Sequence, residues 1–275
     1  MGISINTNVA ATRAGMFLKT NHANLQKSLD RLSSGRRITE PADDAGGLAV
    51  SMKLENTGTV LNAVSNNIAN AISLLQTQDG VLKSIGDIVT RMGELAAMYS
   101  DVTKSTTDKE MYDSEYRDLK VQIGSLADTA FNGIALFDNA AGLAVVMTET
   151  GTDTFTVSQS AVTADLDAAT TEAITVAGGA TDTVSANSQA EYTAALEAIA
   201  ALRATNGGQV RRLQYQMASV DTQITNLSAA NGRIVDVDIA AESSNLAKQQ
   251  VLVQASAAMN AQANVANDVA LMLLQ

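Results

Sequence analysis

The chain has 275 residues, of which 46% are apolar but only 3% aromatic, with one proline and no cysteine. A formal net charge of -11 argues against a nucleic-acid partner, because phosphates are bound by clustered lysine and arginine. The lack of cysteine excludes disulfides, cysteine-ligated zinc and thiol catalysis. No apolar run of about 18 residues predicts a membrane span. Small aliphatic residues predominate, which is typical of closely packed helices.

Near the N-terminus an apolar residue recurs every seven positions, and this spacing predicts a helix. The single histidine, His22, lies on the same stripe. No second histidine and no cysteine can join it, so we interpret it as a packed helix residue rather than a general base or metal ligand. The stripe consists of Ala11, Leu18, Leu25 and Leu32, with Leu29 beside them.

The stretch RLSSGRRITEPADDAGGLAV (31–50) interrupts this pattern and contains the only proline, Pro41. We interpret Gly35 as the end of the terminal helix. Asp43 is interpreted as the N-cap of the next helix, with Asp44 as a second acid at its positive end. A hard cation between the two aspartates is the alternative, but helix capping accounts for both acids.

The longest seven-residue repeat predicts a helix from Leu54 to Met92, roughly 60 Å long at about 1.5 Å per residue. Shorter stripes of the same rhythm cover 112–126 and 192–227, and the last is interrupted at Arg203 and Asn206. Three helices of this kind predict a rod-like bundle. The long repeat consists of Leu54, Leu61, Ile68, Leu75, Leu82 and Val89.

The middle of the chain differs from both halves. Residues 139–190 contain no lysine or arginine, six acids and eleven threonines. TDTFTVS (152–158) alternates apolar and polar residues, which predicts a strand, and AVVM (144–147) and AITV (173–176) are candidate partner strands. We expect a small, β-rich, solvent-facing insert between two helical halves.

The C-terminal segment is apolar on more than one face. From Asn245 onward it has 31 residues, of which 19 are apolar and two are charged. Such a helix exposes a large apolar patch unless it has partners on several sides; packing wholly within its own chain is the alternative. The acids of DVDIAAE (236–242) lack the spacing of a calcium-binding loop, and we interpret them as a capped helix start.

Three motifs resemble one family. RLSSGRRITEPADDAGGLAVS (31–51) resembles the N-terminal signature of bacterial flagellins, and FNGIALF (131–137) resembles their strand-entry motif. GRIVDVDIAAESSNLAKQQVLVQASAAMNAQAN (232–264) resembles their C-terminal signature. The resemblance covers about 1–137 and 190–275 and identifies the chain as a minimal member of that family.

The resemblance agrees with the residue patterns on the fold class. This is a mainly α fold, a long antiparallel helical coiled-coil rod built from both chain halves, with a small β-rich insert at mid-chain. The family's organisation implies an inner domain of terminal helices, 1–44 with 233–275. It also implies a helical rod domain, 45–138 with 187–232, and a short surface insert, 139–186.

The resemblance implies a structural, non-enzymatic subunit that polymerises into the bacterial flagellar filament, the propeller for motility. Its location would be extracellular, after export through the flagellar secretion system; the N-terminus lacks a cleavable signal pattern. The implied partners are other copies of the chain, an export chaperone, and hook-associated and filament-cap proteins. No cofactor or metal is expected.

Three other classes compete with this one. A hook–filament junction protein shares the terminal helices of flagellins, but the strength of the C-terminal signature and the short insert favour a filament subunit. A signalling coiled coil of the chemoreceptor kind has a helical tip, whereas here the mid-chain pattern is β-like. An enzyme within the insert is excluded because the insert is small and the chain lacks HExxH.

The resemblance also assigns three sets of residues. Arg91 and Leu95 in TRMGEL (90–95), with Glu115, match the pattern that a Toll-like innate immune receptor reads in some flagellins. The expected self-assembly interface is Leu18, Leu25, Leu29, Leu32, Leu246, Leu252, Met259, Val269, Leu273 and Leu274. The expected connector between inner and rod domains is Arg31, Gly35, Arg36, Arg37, Pro41, Asp43 and Asp44, whose arginines would pair with Asp236, Asp238 and Glu242.

Overall fold

The computed structural model describes residues 8–137, 139–159, 162, 184 and 188–272, the side chains of 139–141, 159 and 266–272 excepted. The described chain forms helices and short strands, which confirms the predicted mainly α fold with a β-rich insert at mid-chain. The helices are α1 (Val9–Ser34), α2 (Ala45–Tyr99), α3 (Thr106–Ala127), α4 (Gln189–Val235) and α5 (Ile239–Met272). The strands are β1 (Ala130–Phe131), β2 (Ile134–Ala135), β3 (Asn139–Val146) and β4 (Thr154–Gln159).

The chain divides into two compact units, each built from both of its halves. One comprises Met1–Gly58 and Thr225–Gln275, and the other comprises Thr59–Ile224. The long helices α2 and α4 therefore contribute residues to both units. None of the described helices is both long and apolar enough to cross a membrane.

In the first unit α1 and α5 pack antiparallel. The Asn8 side chain donates to the carbonyl of Ala263 over 2.8 Å. At the other end of the pair, Asn245 Nδ2 lies 3.3 Å from Ser28 Oγ, and Ser28 is buried. Small polar side chains inside the seam let the two backbones approach closely while their hydrogen-bonding groups stay paired.

In the second unit α2 and α4 pack antiparallel. Ser65 Oγ lies 3.3 Å from Asp221 Oδ1, and further along, the Arg203 guanidinium donates to Asp79 over 2.8 Å. The buried core contains five of the residues from the predicted seven-residue repeat, as expected for a stripe that faces another helix. These residues are Leu61, Ile68, Leu75, Leu82 and Val89.

Helix α4 continues through the point where its apolar stripe is interrupted. Gly207 and Gly208 both lie inside the helix, and Asn206 is buried although it is polar. Two glycines and one polar residue on the stripe lower the stability of a helix. Packing along a long partner helix offsets this loss. The interruption of the apolar pattern therefore reflects polar side chains on the stripe, while the backbone stays helical.

Helix α3 begins at a capping box and is followed by a tight hairpin. Ser105 accepts from the Asp108 backbone amide, and Asp108 accepts from that of Ser105. Strands β1 and β2 are joined by Asn132 and Gly133, whose φ angles of 52° and 80° lie in the left-handed region. Two successive left-handed residues favour Asn-Gly, which explains the turn in FNGIALF.

Strands β3 and β4 form an antiparallel hairpin that packs against α4. Val145 pairs with Phe155, whose ring lies 4.5 Å from the Arg212 guanidinium, and Gln216 donates to Met147. The predicted alternation in 152–158 and its pairing with AVVM are confirmed. One face of the hairpin is buried, however, so the expected solvent-facing character applies to the other face of these strands. The candidate strand AITV (173–176) lies outside the described residues.

Replacing Phe155 with alanine should destabilise the folded chain by about 3–5 kcal/mol, because it empties a packed aromatic site. The matched control is Thr156→Ala on the exposed face of the same strand, which should change stability by less than about 0.5 kcal/mol. Urea unfolding of the full chain measures both values. Equal, small effects would show that the hairpin does not pack on α4.

Candidate self-assembly site and connector

Both terminal helices expose large apolar side chains although they already pack on each other. Met16 and Phe17 of α1 are 66% and 65% exposed, and Met259 of α5 is 65% exposed. Exposed apolar groups at this density are typical of a surface that binds a further partner. The exposed set is Val9, Met16, Phe17 and Leu29 on α1, with Ile239, Val251, Leu252, Met259 and Val265 on α5.

The residues predicted for self-assembly fall into three groups. Leu29, Leu252 and Met259 belong to the exposed surface. Half-buried positions are occupied by Leu18, Leu25, Leu32 and Leu246. The side chain of Val269 and the whole of Leu273 and Leu274 lie outside the described residues.

The seven-residue stripe did not identify the most exposed large apolar residues of α1, Met16 and Phe17. A stripe marks the face that packs against a neighbouring helix, whereas these two residues lie beside it. The signal in the sequence is a pair of large apolar side chains off the stripe of a helix rich in alanine and polar residues. His22 is also exposed, so the expectation that it packs is wrong.

The two connectors meet through backbone hydrogen bonds. Gly35 ends α1 with a left-handed φ of 70°, as predicted, and its carbonyl accepts from the Val237 amide over 3.0 Å. The Arg37 amide donates to Val235 over 2.6 Å, and the Arg36–Asp236 pair forms an isolated antiparallel bridge. These bonds fix the register between the outgoing and the returning chain.

Asp43 is the centre of a charged cluster. Its carboxylate pairs with Lys27 and lies 3.9 Å from the Arg31 guanidinium, and its side chain is only 5% exposed. The amide and hydroxyl of Thr39 each donate to it over 3.1 Å. The hydrogen bond from Lys27, followed by that from the Thr39 amide, holds the pKa of Asp43 well below its usual range.

The N-cap of α2 is Asp44, so the prediction that Asp43 caps this helix is wrong by one residue. The Gly47 amide donates to Asp44 Oδ1 over 2.8 Å, and the Arg37 guanidinium lies 3.8 Å from the same carboxylate. Asp43 is turned toward α1 because Lys27 and Arg31 are there. Pro41 lies exposed in the turn that precedes both aspartates.

On the returning chain, Asp238 caps α5 by accepting from the Ala240 amide over 2.9 Å. Glu242 is buried, accepts from Asn245 over 3.2 Å, and lies 3.9 Å from the Arg31 guanidinium. Arg31 therefore lies between an acid of each connector. Arg37 contacts Asp44 instead of the returning acids, and it donates to the Ile234 carbonyl over 2.8 Å.

The residues assigned to an immune receptor separate into a surface pair and a core residue. Arg91 donates to Glu115 on α3 over 2.8 Å and to Glu94 over 2.9 Å, and all three side chains reach solvent. Leu95 is fully buried. Its assignment as a receptor contact is corrected, since a core side chain is not available to a partner.

Nothing in the described part of the chain is arranged as a metal centre: no three acidic or histidine side chains there lie close enough to hold an ion. The cluster around Asp43 is instead neutralised by cations of the chain itself. Its arrangement suits holding two connectors together rather than binding a ligand.

Two family models match the chain. The model of the bacterial flagellin N-terminal helical region matches residues 5–142, and that of the C-terminal helical region matches residues 190–274. A flagellin of Listeria innocua is 33% identical over 95% of this chain and 96% of its own. A flagellin of Halalkalibacterium halodurans is 34% identical over 98% and 99%. A flagellar filament 33 kDa core protein of Treponema phagedenis is 33% identical over 98% and 99%.

Acid should weaken the connector through Asp43. Its folded-state pKa lies below the unfolded value of 3.8, so its contribution is complete above about pH 5 and is lost as the pH falls through the folded-state pKa. Asp43→Asn should lower the thermal midpoint at neutral pH, by about 2–4 °C for each kcal/mol lost, and should flatten this acid dependence.

Circular dichroism melts across the pH range measure both effects. Asp30, an exposed acid of α1, provides the matched control, and Asp30→Asn should retain the acid dependence of the parent chain. An unchanged midpoint and pH profile in Asp43→Asn would show that the Asp43 cluster does not hold the connector.

Proposed function

Because the chain belongs to the bacterial flagellin family, we propose that its paired terminal helices are the element through which copies polymerise. The chain is a structural subunit of the bacterial flagellar filament. The family relationship supports this subunit over a hook–filament junction protein, since the relatives above are flagellins and a filament core protein.

The exposed apolar surface of α1 and α5 carries the proposal. Phe17 and Met259, with exposed fractions of 65%, lie on helices whose seam is already closed by their own contact. Burial of apolar area contributes about 25 cal/mol per Å², so neighbouring copies that cover this surface gain a large association energy. The interface includes the predicted positions Leu18, Leu25, Leu29, Leu32, Leu246, Leu252, Met259, Val269, Leu273 and Leu274.

The filament places the subunit outside the cell, and we infer export through the flagellar secretion system. A flagellar export chaperone is the partner that binds the C-terminal stretch 246–274 beforehand. The physical reason is that an apolar helix without its polymer partners must be covered before export. Hook-associated and filament-cap proteins contact the two ends of the polymer. The role is structural, without catalysis or a cofactor.

We propose the domain organisation expected from the sequence, whose bounds differ from those of the two compact units. The inner domain is 1–44 with 233–275, and the helical rod domain is 45–138 with 187–232. The hydrogen bonds between Gly35 and Val237, and Arg31 between Asp43 and Glu242, support a connector role. We propose the insert 139–186 as the surface element of the subunit, with one face of its β3–β4 hairpin packed on α4.

Removing residues 245–275 should abolish filaments, because it deletes four of the nine exposed apolar residues and most of the helix that packs on α1. The α2–α4 pair should stay helical, since its contacts lie within Thr59–Ile224. Seeded polymerisation followed by electron microscopy measures the first effect, and circular dichroism measures the second. Normal filaments from the truncated chain would contradict the proposed role of the terminal helices.

Chaperone binding should depend on the same stretch. A pull-down with the flagellar export chaperone should recover the full chain and lose a variant without 246–274. The matched control removes residues 8–34, which takes away α1 but leaves the C-terminal stretch intact. Capture that survives loss of 246–274 would refute this partner assignment.

We infer that the Arg91–Glu115 pair is the surface a Toll-like receptor would read, since its charges are exposed on neighbouring helices. The simpler alternative is an ordinary surface ion pair. Arg91→Ala should remove ~1.4 kcal/mol or more of receptor-binding free energy, which corresponds to a tenfold or greater loss of affinity. Receptor activation in a reporter-cell assay should fall by the same factor. Arg117→Ala, on the exposed surface of α3, is the control. Equal activation by the parent chain and Arg91→Ala would rule out this site.

A further inference from the structure

A groove lies between α2 and α4 in the second unit. It encloses about 750 Å³ and is lined by Leu75, Gln76 and Asp79 of α2 and by Arg203, Gly207 and Arg211 of α4. An ideal Cβ built on Gly207 would meet no atom within 4 Å. The groove is therefore open where Gly207 of α4 lacks a side chain.

The groove presents hydrogen-bond donors and positive charge. Arg203 is paired with Asp79, but the described residues place no acid against the exposed Arg211. Below them, Asn206 is 2% exposed, and its Nδ2 has no hydrogen-bond partner among the described residues. A carboxylate carried by a partner fits a site of this chemistry.

The second unit also exposes a face with the complementary chemistry. Met111 and Val121 of α3 are 67% and 70% exposed, and the exposed Asp118 lies between them. The spacing of these residues puts them on one side of α3, opposite the buried Tyr116 and Ile123. An acid flanked by two apolar side chains is a suitable face to enter a groove.

We propose that this groove binds the outer face of α3 from a second copy of the chain, with Asp118 of that copy against Arg211. The inference rests on the proposed polymerisation and identifies one of its contacts. The two surfaces differ, so the contact is heterologous, and a contact of this kind repeats into an open helical polymer when its rotation does not close into a ring. In a chain of net charge -11, a pairing of opposite charges also reduces the repulsion between neighbours.

Gly207→Leu tests the groove without disturbing the monomer. The new side chain projects into open space and replaces a poor helix former with a good one, so the thermal midpoint should stay or rise. Filling the groove should raise the critical concentration for seeded polymerisation at least tenfold. The matched control is Gly208→Leu, which also has open space around its Cβ but does not line the groove.

The proposal would be overturned if Gly207→Leu had the same critical concentration as the parent chain. It would also be overturned if Gly207→Leu and Gly208→Leu raised the critical concentration equally. Failure of the parent chain itself to polymerise would instead contradict the proposed function.

The partner is tested separately by charge reversal. Arg211→Glu and Asp118→Arg should each impair assembly, and the double variant should polymerise again because the two charges are exchanged. If assembly is restored neither in the double variant nor in a mixture of the two single variants, α3 is excluded as the occupant of the groove.

Discussion

The pairing of α1 with α5 joins the two ends of the chain, and the candidate interface and connectors depend on it. Asn8 and Ala263 are in contact although 255 positions separate them. Closing a flexible loop of that length costs about 5 kcal/mol of chain entropy. The second unit reduces this cost, because the contact between Ser65 and Asp221 already shortens the loop. Folding of the middle of the chain therefore favours the meeting of its ends.

Once the ends pair, the connectors are held by charge and backbone contacts, together with the buried side chains of Ile38 and Val235. Arg31 lies between Asp43 and Glu242, each nearly buried, so removing the cation would leave two acids without a full set of partners. The same pairing leaves the outer faces of α1 and α5 uncovered. A subunit stable enough to fold, yet apolar on the outside of its terminal helices, is suited to assembly with copies of itself.

The sequence predicted the features that depend on local periodicity. The buried positions of α2, from Leu61 to Val89, follow the seven-residue repeat, and Phe155 and Val157 follow strand alternation. Gly35 was identified as a helix end because a left-handed residue favours glycine. These patterns arise from the 3.6-residue period of the α-helix and the two-residue period of the β-strand, and both periods are visible in the sequence.

Features that depend on contacts between distant segments were not predictable in the same way. Asp43 and Asp44 can both cap a helix. Asp44 caps α2, whereas Asp43 pairs with Lys27 on α1, a contact that the local sequence does not show. The burial of Leu95 depends on which side of α2 faces its neighbours. Phe17 is exposed because α5, the helix that packs along α1 among the described residues, covers another face of α1.

Thiol accessibility in the monomer and in the filament tests the central claim most directly. The chain has no cysteine, so Phe17→Cys introduces a single reactive group on the exposed apolar surface. Thr156→Cys, on the exposed face of the hairpin, provides the reference. The account predicts rapid labelling of both variants as monomers and strong protection of the Phe17→Cys thiol alone in filaments. Equal labelling of that thiol in monomer and filament would show that the α1–α5 surface stays open to solvent, and would contradict its role in assembly.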